Sequence, residues 1–334
     1  MASMSGSVPI HLFNGFANPY GGSELETLAV FELLSQTGPV TLWATSSRAA
    51  PALLSRYPIK RIVAWRGQVP QGGNYVFFGA HWRNRLWPMV ATPPRRLIYV
   101  FNTFHPKVLA LTARGPALRS WPRTEYVLIS AFQKKMLGIE GEIHPSPIDL
   151  KRFHPRPPSP DQFAPANLPL VVGRLSRDTA DKHDAQDLAL YRTLPGEGWQ
   201  VRLQGATSLR EQLPADPALQ LTPEGLVDAA DFLRGLDVFY YRTGVHVETF
   251  GRVVFEAMAC GVPVVCHRHG GYADHIRHGE NGFLFDTTDQ AAAILHQLRH
   301  DPVLRALIGA NARRTVEALF SASALQARMT FLRR

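Results

Sequence analysis

The stretch His246-Val-Glu-Thr-Phe-Gly-Arg-Val-Val-Phe-Glu-Ala-Met-Ala-Cys-Gly-Val-Pro-Val-Val265 decides the fold of this 334-residue chain. Its first residues form a loop, and Arg252 to Ala259 carries apolar side chains at helical spacing. Gly261 stops that helix, and the apolar run from Val262 to Cys266 reads as a buried strand. Two carboxylates stand in this segment. Glu248 falls in the loop, beside the amides of Thr249, Phe250 and Gly251 at the positive start of the helix. Glu256 falls inside the helix among Val253, Val254, Phe255, Ala257 and Met258. Eight residues apart, the two are not helix-face neighbours, and each answers to a different partner. A carboxylate in apolar company is costly unless it is hydrogen-bonded. Hydroxyls of a ribose or hexose would satisfy Glu256, and so would a structural salt bridge.

Outward from this segment the same alternation runs through the chain. Short apolar runs predict strands near residues 8–13, 40–44, 74–78, 97–101 and 125–130, and again near 170–172, 200–204 and 238–241. Helical patterns fall near 23–35, 185–194, 224–234, 289–300 and 303–319. The class is α/β, with open, mostly parallel sheets covered by helices on both faces. Between Phe153 and Pro169 there are six prolines in seventeen residues, which excludes a helix or an interior strand. The expected organisation is an N-terminal domain over 1–155, a linker over 156–168, a C-terminal domain over 169–315, and a last helix over 316–334 packing back on the N-terminal domain. Two such halves on a hinge imply an interdomain cleft, a common place for ligands.

A composition of 45% hydrophobic and 19% charged residues excludes a disordered chain. The net charge of +9 is unevenly placed: residues 1–155 carry 17 Lys and Arg against 7 Asp and Glu, while the remainder carries 19 against 20. Such a split argues for an acidic partner of the first half. Two cysteines are too few for a disulfide framework, and the N-terminus does not read as a signal peptide, so a reducing, cytoplasmic setting is expected. No apolar run reaches the length of a membrane span.

The usual Gly-x-Gly-x-x-Gly and Walker fingerprints are missing. In their place Asn18-Pro-Tyr-Gly-Gly-Ser-Glu24 joins the first strand to the first helix. Gly21 and Gly22 let backbone approach a ligand, and the amides at the helix start suit a phosphate. A plain structural turn is the competing reading.

Glu248 and Glu256 with seven residues between them, inside the stretch quoted above, closely resemble the signature of retaining GT-B glycosyltransferases of the family 4 type. Gly21-Gly22-Ser23-Glu24, Val127-Leu-Ile-Ser130, Ser146-Pro-Ile-Asp-Leu-Lys-Arg-Phe-His154, Gly173-Arg174-Leu175, Gly270-Gly271 and Asn281-Gly282-Phe283-Leu284 match in order. The resemblance implies a GT-B architecture of two Rossmann-like, doubly wound domains facing a cleft. It implies a hexosyltransferase-like enzyme that takes a nucleoside-diphosphate sugar as donor and retains configuration. Glu256 would hold ribose hydroxyls, Glu248 the donor sugar, and the amides of Thr249, Phe250 and Gly251 the donor at the helix start. Arg174 and Lys182 would neutralise the diphosphate, with Arg177 a competitor. Gly21 and Gly22 would approach the same phosphates. His105 is expected near the donor sugar, with His81 as rival.

No cofactor is expected, and no metal, because His267, His269, His275 and His278 lack a completing ligand. Tyr241-Arg242-Thr243 departs from the family's usual Pro-Ser, and Arg242, just before the donor loop, is expected to read an acidic sugar or an extra phosphate. Trp82, Trp87 and Trp121 among the arginines of the first half suit an anionic membrane interface. The expected partners are therefore the nucleotide sugar, a glycan or lipid-linked acceptor, and an anionic membrane surface met peripherally at its inner face. A nucleic-acid binder is disfavoured because the basic residues form no recognition motif. An epimerase or hydrolase on the same fold, and a binding module without catalysis, are the remaining alternatives.

Overall fold

The computed structural model describes residues 8–79, 87–105, 107, 109–110, 121–157 and 169–334. The chain forms two compact units, residues 1–147 with 321–334, and residues 148–320.

In the first unit the strands are β1 (Ile10–Asn14), β2 (Val40–Ala44), β3 (Ile59–Arg61), β4 (Asn74–Phe78), β5 (Arg96–Phe101), β6 (Thr124–Leu128) and β7 (Glu142–Ile143). They form a seven-stranded sheet in the order β3-β2-β1-β4-β5-β6-β7, every pairing parallel. β1 and β4 are buried along their whole length, as expected of strands covered on both faces. The order reverses between β1 and β4, and the loop after β1 feeds helix Gly22–Ser35. An aromatic core fills one face: Phe13 stacks on Phe77 at 4.2 Å, and Trp87 and Trp121 close on each other at 5.8 Å. Trp87 is 1% exposed and Trp121 9%, so neither faces a membrane. They were drawn inward because a parallel sheet needs large apolar cover on both faces. Trp82 lies outside the described residues.

The second unit carries β8 (Leu170–Leu175), β9 (Trp199–Gln204), β10 (Leu219–Thr222), β11 (Val238–Tyr241), β12 (Val264–His267) and β13 (Phe283–Phe285). Its sheet runs β10-β9-β8-β11-β12-β13, again parallel throughout, and reverses between β8 and β11. Helix Arg252–Ala259 lies between β11 and β12 as the sequence predicted. The predicted helix near 224–234 is shorter, Ala229–Arg234, because Asp228 caps it by accepting from the Ala230 amide.

The division between units falls after Pro147, upstream of the expected 155. Residues 148–155 are held by the second unit: Arg152 pairs with Asp228 at 2.8 Å, and Arg313 donates to the Phe153 carbonyl. Most of the proline-rich linker lies outside the described residues. The last helix, Ala322–Arg333, is separate from Pro302–Leu319 and belongs to the first unit. There Asn74 donates to the Leu332 carbonyl and Arg96 to that of Phe331.

Candidate functional site

Open parallel sheets bind ligands beyond the carboxyl ends of their strands, where the strand order reverses. In the second unit that address is the ends of β8 and β11. Arg174, at the end of β8, is fully buried. Its two terminal nitrogens donate to the carbonyls of Lys182 and Arg242, and its guanidinium lies over the Tyr241 ring at 5.0 Å. As folded it offers no surface to a diphosphate and instead ties two loops together. Lys182 ends the single turn Ala180–Lys182 and places Nζ 2.8 Å from Glu248 Oε2. Tyr241, the last residue of β11, donates its hydroxyl to the same oxygen at 2.8 Å. His246 stands nearby, with Nε2 3.8 Å from Glu248 Oε2 and Nδ1 3.5 Å from Asp181 Oδ2. All of these meet Oε2, so among the described residues Oε1 of Glu248 has no partner.

Backbone geometry fixes the loop that carries Glu248. Gly251 adopts a left-handed conformation, φ 83°, and a Cβ there would sit 2.5 Å from Cδ1 of Tyr272. Only glycine fits without moving that buried ring. The Gly271 amide donates to the Glu248 carbonyl at 2.9 Å. Thr249 and Phe250 are buried, Phe250 stacking on Phe255 at 4.3 Å.

The two glutamates sit in opposite electrostatic surroundings. Burial works to raise the Glu248 carboxyl, but the Lys182 ammonium, His246 and the Tyr241 hydroxyl overcome it and bring it down to about 2. Glu256, 7% exposed, is raised by burial, and its ion pair with Arg252 at 3.4 Å offsets this only in part. Glu256 thus has the salt bridge that the sequence allowed and spare capacity for hydroxyl donors.

Arg242 is spent inside the unit. Its guanidinium is 2% exposed and bonds Asp187, with Gln186 Oε1 at 3.3 Å and Thr288 Oγ1 at 2.7 Å. It reads no sugar; the expectation failed because Asp187, buried at the start of helix Asp187–Thr193, needs a cation. Sequence reasoning gave no role to Tyr241 or His246. The signal for Tyr241 was present in the departure from Pro-Ser, where the new residue proves to be the hydrogen-bond donor to Glu248. Arg177 is partly exposed in the loop after β8.

In the first unit the reversal between β1 and β4 is chemically quieter. Asn14 donates to Ser23 Oγ at 2.9 Å and Thr27 Oγ1 at 2.8 Å, fastening the loop to the helix. Glu24 Oε1 accepts from the amides of Ala17 and Asn18 at 3.2 and 3.3 Å. A Cβ on Gly21 would lie 2.2 Å from Glu24 Oε2, the end of a flexible side chain, and 3.2 Å from the Asn18 carbonyl oxygen. Gly22 opens helix Gly22–Ser35, whose start no side chain caps. A cavity of about 140 Å³ lies here, lined by Asn14, Ser23, Glu24, Ser46, Gly79 and Thr103. His105 is exposed beyond the end of β5; His81 lies outside the described residues. Among the described residues no group of three His, Cys, Asp or Glu side chains could hold a metal ion. No helix among them is long and apolar enough to cross a membrane.

Residues 222–315 match the family described as glycosyl transferases group 1. The capsular polysaccharide biosynthesis glycosyltransferase CapM of Staphylococcus aureus is 32% identical over 162 residues, 45% of this chain and 42% of that protein. The D-inositol 3-phosphate glycosyltransferase of an Arthrobacter species is 32% identical over 186 residues, 50% of this chain and 44% of that protein. The chain thus spans less than half the length of these relatives. Among solved structures, HepE of Anabaena in complex with UDP-glucose superposes with a TM-score of 0.74 at 16% identity, covering 97% of this chain and 98% of that one. WaaG, a glycosyltransferase involved in lipopolysaccharide biosynthesis, gives 0.67 at 14% identity, covering 97% and 99%. These two likenesses show that the fold is GT-B.

Proposed function

We propose that this chain, a group 1 glycosyltransferase by the family match of its second unit, moves a sugar from a nucleoside-diphosphate sugar to a glycan or lipid-linked acceptor. The observation that carries the reading is Glu248: a half-buried, ionised carboxylate fixed through Oε2 by Lys182 and Tyr241, with Oε1 left to accept hydroxyls of a donor sugar. Glu256 accepts ribose hydroxyls, and the amides from Thr249 to Gly251 meet the diphosphate at a helix start. Lys182 supplies positive charge as the diphosphate departs, and Arg174 keeps Lys182 in place. Transfer proceeds with retention, by attack on the face that the diphosphate leaves, with no protein nucleophile and no metal. CapM and WaaG, by their names, work in polysaccharide and lipopolysaccharide synthesis, which supports an acceptor of that kind. Uridine donors come first in the test because HepE was solved with UDP-glucose. A thermal-shift screen of UDP-, GDP- and ADP-sugars is expected to raise Tm for one base selectively. No shift with any of them, or equal transfer by Glu248→Ala, sinks the assignment.

A second step of the reading places the enzyme at the anionic, cytoplasmic face of a membrane. Trp65, and not the buried Trp87 and Trp121, supports it. Residues 33–124 hold 13 Lys and Arg and no Asp or Glu. Within them Val63 and Gln68 exchange backbone bonds at 2.9 and 3.2 Å, closing a tight hairpin. Ile62 and Ala64 pack on the aromatic core, while Trp65 is 84% exposed between the exposed Arg61 and Arg66. An indole held outward among cations suits a headgroup layer.

A further inference from the structure

His246 is the one member of the Glu248 cluster to which neither the resemblance nor the reading above gives a task. Its backbone amide donates to the Asp181 carbonyl at 3.2 Å, and a Cβ on neighbouring Gly244 would lie 2.3 Å from the His183 carbonyl oxygen. The loop is therefore pressed against the turn that carries Lys182. The ring stands between two carboxylates, Asp181 Oδ2 at 3.5 Å from Nδ1 and Glu248 Oε2 at 3.8 Å from Nε2.

We infer that His246 is a positioning residue for Glu248, keeping Oε2 on Lys182 and Tyr241 so that Oε1 stays aimed at the donor sugar. This rests on the reading of the second unit as a sugar-nucleotide site. With Nδ1–H directed to Asp181 Oδ2, the neutral ring carries no proton on Nε2 toward Glu248. The neutral ring fills the space and forms no hydrogen bond to Glu248, so Lys182 and Tyr241 keep the carboxylate. A protonated ring would compete with both for Oε2 and turn Oε1 away. The groups facing the imidazole are Asp181 and Lys182 on the adjoining turn, Arg177 on the loop after β8, and Glu248 on its own loop. Burial, with Lys182 and Arg177, lowers the imidazole pKa below its ordinary value against the pull of Glu248 and Asp181, so the neutral form holds at pH 7.

The experiment is donor kinetics against pH, using whichever of UDP-, GDP- or ADP-glucose raises Tm, together with imidazole 15N shifts. In the wild type kcat/KM falls on acidification through one ionisation below pH 6.5. His246→Ala raises the donor KM about tenfold with kcat within about twofold, and His246→Gln, which cannot ionise, recovers part of that KM and removes the acid limb. Independently of turnover, Glu248→Gln shifts the His246 titration to lower pH, because a neighbouring negative charge is gone. An acid limb that persists in His246→Gln, or a His246 titration unmoved by Glu248→Gln, overturns the inference. Failure of every sugar nucleotide to bind, with the 15N coupling intact, strikes instead at the proposed function.

Discussion

Two sheets of like design, each reversing its strand order once, treat their charges in opposite ways. At the reversal between β8 and β11 the second unit buries Arg174, Lys182, Arg242 and Asp187 and joins them to the half-buried Glu248 in a connected set of ion pairs and hydrogen bonds. At the reversal between β1 and β4 the first unit sets an amide, hydroxyls and one carboxylate that serves two loop amides. Yet by sequence the first unit carries a large positive excess, 18 Lys and Arg against 6 Asp and Glu, while the second carries 18 against 21. Net charge counts the groups left over after pairing. Where charge is put to chemical use it is paired, and so it vanishes from the count.

Removing a cation from each unit tests this contrast most severely. Arg242→Ala strands the Asp187 carboxylate in the interior and should cost about 3–5 kcal/mol, seen as a large drop in Tm, whereas Arg66→Ala should stay within about 0.5 kcal/mol. Equal effects would erase the distinction between the units. At the next level, Glu248→Gln keeps the shape of the side chain but weakens its hold on Lys182. Transfer should fall about 100- to 1,000-fold with the circular dichroism spectrum unchanged, the size expected when a preorganised polar contact to the reacting sugar is lost. Glu24→Gln in the first unit, measured in the same assay, should cost far less.

Acid provides a third probe. Glu248 titrates near 2 in the folded protein against an ordinary 4.5, so its stabilisation is complete above pH 4.5 and is lost as pH falls toward 2. Denaturant unfolding of Glu248→Gln should be flatter than wild type over that window, by on the order of 3 kcal/mol. Curves of equal slope would mean that the pair with Lys182 contributes nothing. The smallest effect on stability belongs to Trp65→Ala, where an exposed ring is lost and Tm should hold within about 1 °C. Its binding to anionic liposomes at low salt should weaken about tenfold; unchanged binding would remove the hairpin from the membrane reading.

Much of the fold was legible because parallel strands are buried on both faces and announce themselves as apolar runs. β2, β4 and β11 fall where the runs predicted them, and so does helix Arg252–Ala259. Edge strands were missed. β3, β7 and β10 carry polar residues such as Lys60, Glu142 and Gln220, since an edge is only half covered. For the site, the spacing of Glu248 and Glu256 was visible, but their different surroundings were not. Those depend on Lys182, Tyr241 and Arg252, and the first two reach Glu248 through tertiary packing. Arg242, Trp87 and Trp121 were misjudged for one reason: residue type suggested a surface role, and only burial reveals that Asp187 or the sheet had already claimed them.

The last helix has a consequence for how such a protein can be taken apart. Residues 321–334 belong to the first unit, where Asn74, Arg96 and the Thr37 hydroxyl each bond to them. Residues 148–320 therefore form an insert, entered and left through the same host, and no single cut yields two intact halves. A chimera that exchanges the second unit needs two junctions, near Pro147 and near Phe320, and a chain shortened by fourteen residues at its end would strip Asn74 on β4 and Arg96 on β5 of the carbonyls to which they donate. The unit that reads as an independent module is a cassette, and its host stays whole only when the ends of the host remain joined.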